Sequence, residues 1–238
     1  MQNAADVELK KAKQKTSFLY QISRIIVSSR YLDDILFMVV GLTAELTGSK
    51  ICSMMLLNEE KQELEIKATQ SLSETYRSKP PIHVGESVSG RAVQQKKPIT
   101  VRDVTQDKQY KYPAIARAEG LKSLTSVPMM IKDRVIGVLN CYTTEEHVFS
   151  EEEVEILVAV ANQAALAVEN TRLLAEKVAA VENLETRKKV ERAKGILMKK
   201  HRVGEEEAYK ILQKQSMQRR MSIKEIADAI LVSEEIMN

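Results

Sequence analysis

Between Ser150 and Gly195 the chain contains neither glycine nor proline. Within that run Val154, Leu157, Ala161, Ala164, Val168, Thr171, Ala175 and Val178 recur at alternating steps of three and four. This is the spacing of a heptad seam, and it predicts one unusually long helix that must lay an apolar stripe against a partner. Ser150 and Glu153 have the spacing of a capping box, which sets its start. The phase slips near Val181 and resumes with Val190, Ala193 and Leu197. A second copy of the chain is the economical partner, and an N-terminal helix could share the seam.

Upstream, the period changes twice. Residues 7–29 carry helical spacing, and residues 32–47 predict a second helix that Gly48 closes. From Lys50 to Thr69 the pattern reads as strand, turn and strand, with Asn58–Gln62 as the turn. PIHVG is extended, and SVSGRAVQQKK predicts a short helix with Ser87 as its N-cap and Pro98 beyond its end. ITVRDV reads as a strand, and YPAIARAEG as a short helix ending at Gly120. SLTSVPMMI and VIGVLNCYT pair around Lys132–Arg134. Pro128 confines the first of these to an edge or a bulge, because it has no N–H for a ladder.

The net charge of +3 hides an asymmetry. Residues 184–221 hold 12 Lys and Arg against 5 acidic residues. Taking these from the 36 basic and 33 acidic residues of the chain leaves 24 and 28 elsewhere. A near-neutral body with a basic C-terminal segment suits a polyanionic partner at that end, although composition alone favours a solvated, lysine-rich helix. On a helix at about 100° per residue, Lys188, Arg192, Gly195, Lys199 and Arg202 share one side. Val190, Ala193 and Leu197 share the opposite side, and Arg187 and Lys194 flank the basic stripe. A side chain at position 195 would stand between the helix and anything lying on that face. Glycine there either lets a phosphate or sugar approach the backbone or admits a neighbouring helix. Beyond a break at Val203-Gly204, EEEAYKILQKQSMQRR and MSIKEIADAILVSEEI predict two further helices. In the second, Ser222 and Glu225 form a capping box. Tyr209 is expected in the core, with a base contact as the alternative.

Two blocks carry family resemblances. VGESVSGRAVQQKKPITVRDV and SVPMMIKDRVIGVLNCYTTEEHVFSEEEVEILVAVANQAALAVEN resemble a GAF sensor domain. RKKVERAKGILMKKH, EEEAYKILQKQSM and IKEIADAIL resemble an ANTAR domain, a bacterial RNA-binding antiterminator module. The resemblance implies an α+β chain: a GAF-like antiparallel sheet with flanking helices, then a long coiled-coil helix leading into a small all-α three-helix ANTAR-like domain. The expected division is a helical extension over 1–15, a GAF-like domain over 16–172, a coiled-coil linker over 173–179 and an ANTAR-like domain over 180–235. The implied function is a signal-responsive transcription antiterminator, a homodimer that binds stem-loop leader RNA. The expected RNA-binding residues are Arg187, Lys188, Arg192, Lys194, Gly195 and Lys199. For the GAF-like domain two expectations stand equally: an unidentified small-molecule ligand, with His83, Arg91, Arg102 and Tyr112 as its candidates in the loop-rich region, or an empty domain used only for dimerisation or partner binding.

Other classes fare less well. SIKEIADAILVS looks like the first half of a helix-turn-helix, but EEIMN offers no recognition helix, which makes DNA an unlikely partner. A small-molecule sensor or dimeric regulator acting on DNA or protein is the alternative. No catalytic residue and no metal-ligand spacing is found: His83, His147 and His201 stand apart from one another and from Cys52 and Cys141. The cysteines lie in apolar strand patterns, which predicts inert core thiols in a reducing cytoplasm. No apolar run reaches the roughly 20 residues of a membrane span, and MQNAADVELKKAKQK has no signal-like apolar region.

Overall fold

The computed structural model describes residues 16–17, 20–26, 31–71 and 73–237. The helix predicted over 7–29 falls among these only at 16–17 and 20–26, which are helical. The chain divides into two compact units, one up to Thr171 and one from Arg172 onward.

In the N-terminal unit the elements run α1 (Leu32–Thr47), β1 (Ile51–Asn58), β2 (Glu63–Thr69), α2 (Glu74–Arg77) and β3 (Ile82–His83). They continue with α3 (Ser87–Gln95), β4 (Ile99–Val101), α4 (Pro113–Glu119), β5 (Leu124–Ile131) and β6 (Arg134–Tyr142). The strands form one antiparallel sheet in the order β3-β2-β1-β6-β5-β4. Gly48 and Gly120 close α1 and α4 at φ 63° and 65°, where a side chain would be strained. β4 reaches only Leu124–Ser126 of β5, so Pro128 sits beyond it with no ladder bond to lose on that side. Helix α3 departs from the predicted cap. Glu86 is its N-cap, Ser87 has φ 55°, and the Ser87 hydroxyl accepts from the Lys111 N–H instead.

Alternation along the strands splits the core. Cys52 and Met54 on β1, with Leu139 and Cys141 on β6, face α1 and the start of the long helix, where Leu157, Val160, Ala161 and Ala164 are fully buried. Ile51, Met55, Val138 and Tyr142 face the opposite way, toward α2, α3 and α4. That second side is filled by tyrosines. Tyr76 shares a hydrogen bond with Ser53 at 2.9 Å, Tyr110 shares one with Tyr142 at 3.2 Å, and the Tyr76 and Tyr142 rings meet edge to face. The cysteines, 89 residues apart in sequence, are register partners with sulfurs 3.2 Å apart, and both are buried.

Helix α5 spans Glu151–His201. Its start is the predicted capping box: Ser150 N–H donates to Glu153 at 2.7 Å and Glu153 N–H donates to the Ser150 hydroxyl at 3.2 Å. The structure revises the partner of the early seam. Leu157, Ala161, Ala164 and Val168 pack into this chain's own sheet and α1, so they are occupied within one copy. Every residue from Arg172 to Glu185 is exposed.

In the C-terminal unit, α5 is followed by α6 (Glu205–Arg219) and α7 (Ile223–Met237). Ala193 and Leu197 of α5 bury against Ala208, Leu212, Ile226 and Ala227, with Val190 at the margin. The Ser222–Glu225 capping box starts α7. Tyr209 departs from expectation. It is 39% exposed, because Ala208 and Leu212 already complete the face that α6 turns inward.

Candidate nucleic-acid interface

The packing face of α5 fixes where its basic residues can stand. With Val190, Ala193 and Leu197 committed inward, Lys188, Arg192 and Lys199 are left on the opposite side of α5; Arg202 follows the helix end at φ 56°, and all four are exposed. Their carboxylate partners are few and exposed. Lys188 pairs with Glu185 at 3.0 Å, and Arg192 reaches Glu235 only at 3.9 Å. Such surface pairs contribute little and yield readily to a phosphate. Among the described residues Lys199 has no carboxylate partner. A Cβ built on Gly195 would meet no neighbour within 4 Å. Helix packing therefore does not require glycine at this position, and the space beside its backbone is open.

Lys194 stands apart from this set. It is 8% exposed, and its ammonium lies 2.9 Å from Glu191 and 2.6 Å from Glu205. Glu205 and then Glu191 hold its pKa above the ordinary lysine value, while Lys194 pulls Glu205 below the usual carboxylate range. Its charge is spent on joining α5 to the first turn of α6. Arg187 is exposed beside the stripe. Lys189, which the sequence did not single out, pairs with Asp228 of α7 at 2.7 Å.

Each of the four ligand candidates of the N-terminal unit has its own surroundings. Arg91 donates to the Ser87 carbonyl and to Asp107, and the Tyr112 hydroxyl donates to the Pro80 carbonyl at 2.9 Å. His83 is exposed, 3.6 Å from Glu63, and Arg102 is exposed beyond β4. No group of His, Cys, Asp and Glu arranged to hold a metal ion is found among the described residues, and no described helix is long and apolar enough to cross a membrane.

A curled antiparallel sheet backed by helices, continued by a long helix into a helical unit with a basic face, defines a sensor-and-effector regulator. The chain belongs to the GAF domain family, which it matches over residues 29–169, and it carries an ANTAR domain over residues 179–231. Over 63 residues it is 46% identical to the transcriptional regulatory protein PdtaR of Mycobacterium tuberculosis, covering 26% of this chain and 31% of that one. Over 153 residues it is 29% identical to the methyl sulfide methyltransferase-associated sensor of Methanosarcina acetivorans, covering 62% of this chain and 15% of that one. The chain thus spans less than a third of the length of either relative. The fold of the N-terminal unit is that of the GAF domain of a phosphoenolpyruvate-protein phosphotransferase from Coxiella burnetii, with TM-score 0.64 and 24% identity over 69% of this chain and 98% of that one. The free methionine-R-sulfoxide reductase of Neisseria meningitidis is similar in fold at TM-score 0.60 and 21% identity, covering 69% and 93%. The architecture is that of an ANTAR regulator.

Proposed function

We propose that this protein is a transcription antiterminator whose C-terminal unit binds folded leader RNA through the outer face of α5, under control of the GAF domain. The observation that carries this reading is the open basic stripe of Lys188, Arg192, Lys199 and Arg202 around Gly195. Lysines along it supply salt-dependent phosphate contacts, and arginines can also stack on or hydrogen-bond to exposed loop bases. Lys194 is left out of the binding set, since its two carboxylate partners already neutralise it. The protein acts as a homodimer paired along α5 between Leu174 and Leu184, and its signal enters through the GAF domain.

The test is a titration with RNA that co-purifies with the protein, identified by sequencing. Structured leader hairpins are expected. Lys188→Ala, Arg192→Ala and Lys199→Ala should each weaken binding and flatten the salt dependence by about one unit of slope for each phosphate no longer neutralised. Wild-type affinity in all three variants, with circular dichroism unchanged, would remove the stripe from the reading.

A further inference from the structure

The three helices of the C-terminal unit meet around a cavity of about 340 Å³. Each helix lines it with residues four apart, which on a helix share one face a turn apart. On α5 the line runs from Ile196 to Lys200, and on α6 from Ile211 through Gln215 to Arg219. On α7 it runs from Ile226 and Ile230 to Glu234. In every line isoleucine comes first and a polar group follows one turn later. The isoleucines are buried or half-buried while Lys200 and Arg219 are exposed, so the cavity is a funnel with an aliphatic floor and a polar rim. Its volume falls at the lower end of the roughly 300–1,000 Å³ of small-molecule pockets. Among the described residues Lys200 and Arg219 have no carboxylate partner. Arg219 Nε donates to the Gln215 side-chain oxygen at 3.1 Å, which holds the guanidinium at the rim. A second hollow, beside Tyr209, sets Glu205 and Glu206 against Lys194, and its charge turns an anion away.

We infer that the funnel takes one unstacked nucleotide, its base inward against the isoleucines and its phosphate outward on Lys200 and Arg219. The inference rests on the RNA reading above for the source of that nucleotide, a loop of the bound RNA, and adds a pocket that reads a base. A nucleobase is apolar on its faces and polar along its edge, which is the division between the floor and the rim. Proteins that read RNA loops hold such splayed-out bases between apolar or planar side chains and hydrogen-bond their edges. The chain has no Trp and three Phe, so aliphatic walls take the part that aromatic platforms play elsewhere. The Glu234 carboxylate at the rim would repel a simple carboxylate ligand, but it accepts from the amino group of a base edge. Gln215, whose oxygen is taken by Arg219, keeps its NH2 to donate. The funnel also opens beside the basic stripe. Ile196 follows Gly195 and Lys200 follows Lys199, one residue further round the same helix. The stripe positions the strand through its phosphates, and the funnel selects the base.

The probe is the stem-loop recovered with the protein, synthesised with one loop position at a time made abasic. One position should dominate, its abasic form binding the wild-type protein about tenfold or more weakly. Ala229 is exposed and lines the funnel, so Ala229→Phe fills it and leaves the isoleucines in place. That variant should bind the intact loop about tenfold more weakly and should no longer tell it from the abasic one. Arg219→Ala should weaken binding to every loop about equally and keep the abasic pattern. Circular dichroism checks that both variants fold, and the abasic scan of the wild-type protein needs no variant. The four ribonucleoside monophosphates, titrated alone, separate a free nucleotide from a loop one. Saturable binding of one of them, lost in Ala229→Phe, with an indifferent abasic scan, assigns the funnel to a free nucleotide. Wild-type behaviour of Ala229→Phe toward every loop and every monophosphate overturns the inference. So does uniform weakening with the abasic pattern retained and no monophosphate bound. If Lys188→Ala, Arg192→Ala and Lys199→Ala still weaken binding in either case, the stripe stands and only the funnel falls. If those three bind as wild type while Ala229→Phe does not, the stripe falls and the funnel stands.

Discussion

Lys194 Nζ lies 2.6 Å from a carboxylate oxygen of Glu205, the first residue of α6. The contact spans the break at Arg202–Gly204 and fixes how α6 leaves α5. Lys194→Ala is therefore expected to lower the melting temperature of the C-terminal unit, while Lys199→Ala leaves it unchanged and weakens RNA binding. Because Glu205 is held below its ordinary carboxylate value, its contribution is present above the unfolded value and goes as pH falls through the folded one. Thermal melts of wild type and Lys194→Ala should converge as the solution is acidified. Parallel melting curves across that range would show that the pair does not contribute.

Gly195→Ala separates folding from recognition. Nothing within 4 Å obstructs the added Cβ, so the helix should gain roughly 0.5–1 kcal/mol. RNA affinity should fall. Chemical denaturation together with a binding titration reads both, and a variant that is more stable yet binds fully would show that the backbone is not approached there.

Val178→Glu and Val168→Glu should behave differently although both fall on three-and-four spacing. Val178 is 51% exposed and has no partner within one copy, so its replacement should yield a folded monomer. Val168 packs against the sheet core, so a charge there should destabilise the N-terminal unit. Sedimentation velocity and circular dichroism distinguish the two results. A dimeric Val178→Glu protein would place the pairing surface elsewhere.

Gly90 on α3 is held under the backbone of β3. A Cβ at this position would overlap the His83 carbonyl oxygen. Gly90→Ala should cost about 1–3 kcal/mol through forced backbone movement, measured by urea denaturation of the whole chain. A change within experimental error would mean that α3 shifts freely on the sheet.

Lys79 reaches over the Tyr76 ring, 4.1 Å from its centroid, and desolvation lowers its pKa to about 7. Between that value and the ordinary lysine value of 10.5 the unfolded chain binds more protons than the folded one. Stability should therefore rise as pH increases through this window. Lys79→Met should remove that rise and be the more stable protein at neutral pH. The same pH slope in both proteins would assign it to other groups.

The elements that can be read from the sequence are those with local causes. Gly48, Gly120 and the Ser150–Glu153 pair act within a turn of where they stand, and the structure places each where its spacing predicts. Periodicity is a less complete guide, because it identifies a face and not what covers it. The seam from Leu157 to Val168 looks intermolecular in sequence, yet it is consumed by the sheet of the same chain. Lys194 reads as one more basic residue because Glu205, eleven positions away, comes beside it only once the chain turns. The Cys52–Cys141 contact depends on strand register across 89 residues, which no local signal carries.

The unbroken α5 imposes a rule on length over evolutionary time. A helix that is anchored in one packed core near Leu157 and in another near Leu197 cannot gain or lose one residue between them without turning its two ends apart. Insertions and deletions that survive there should come in steps of about seven or eleven residues, which return the helix close to its starting angle. Among proteins that join the same two domains, linker lengths should therefore fall into discrete classes, with intermediate lengths selected against.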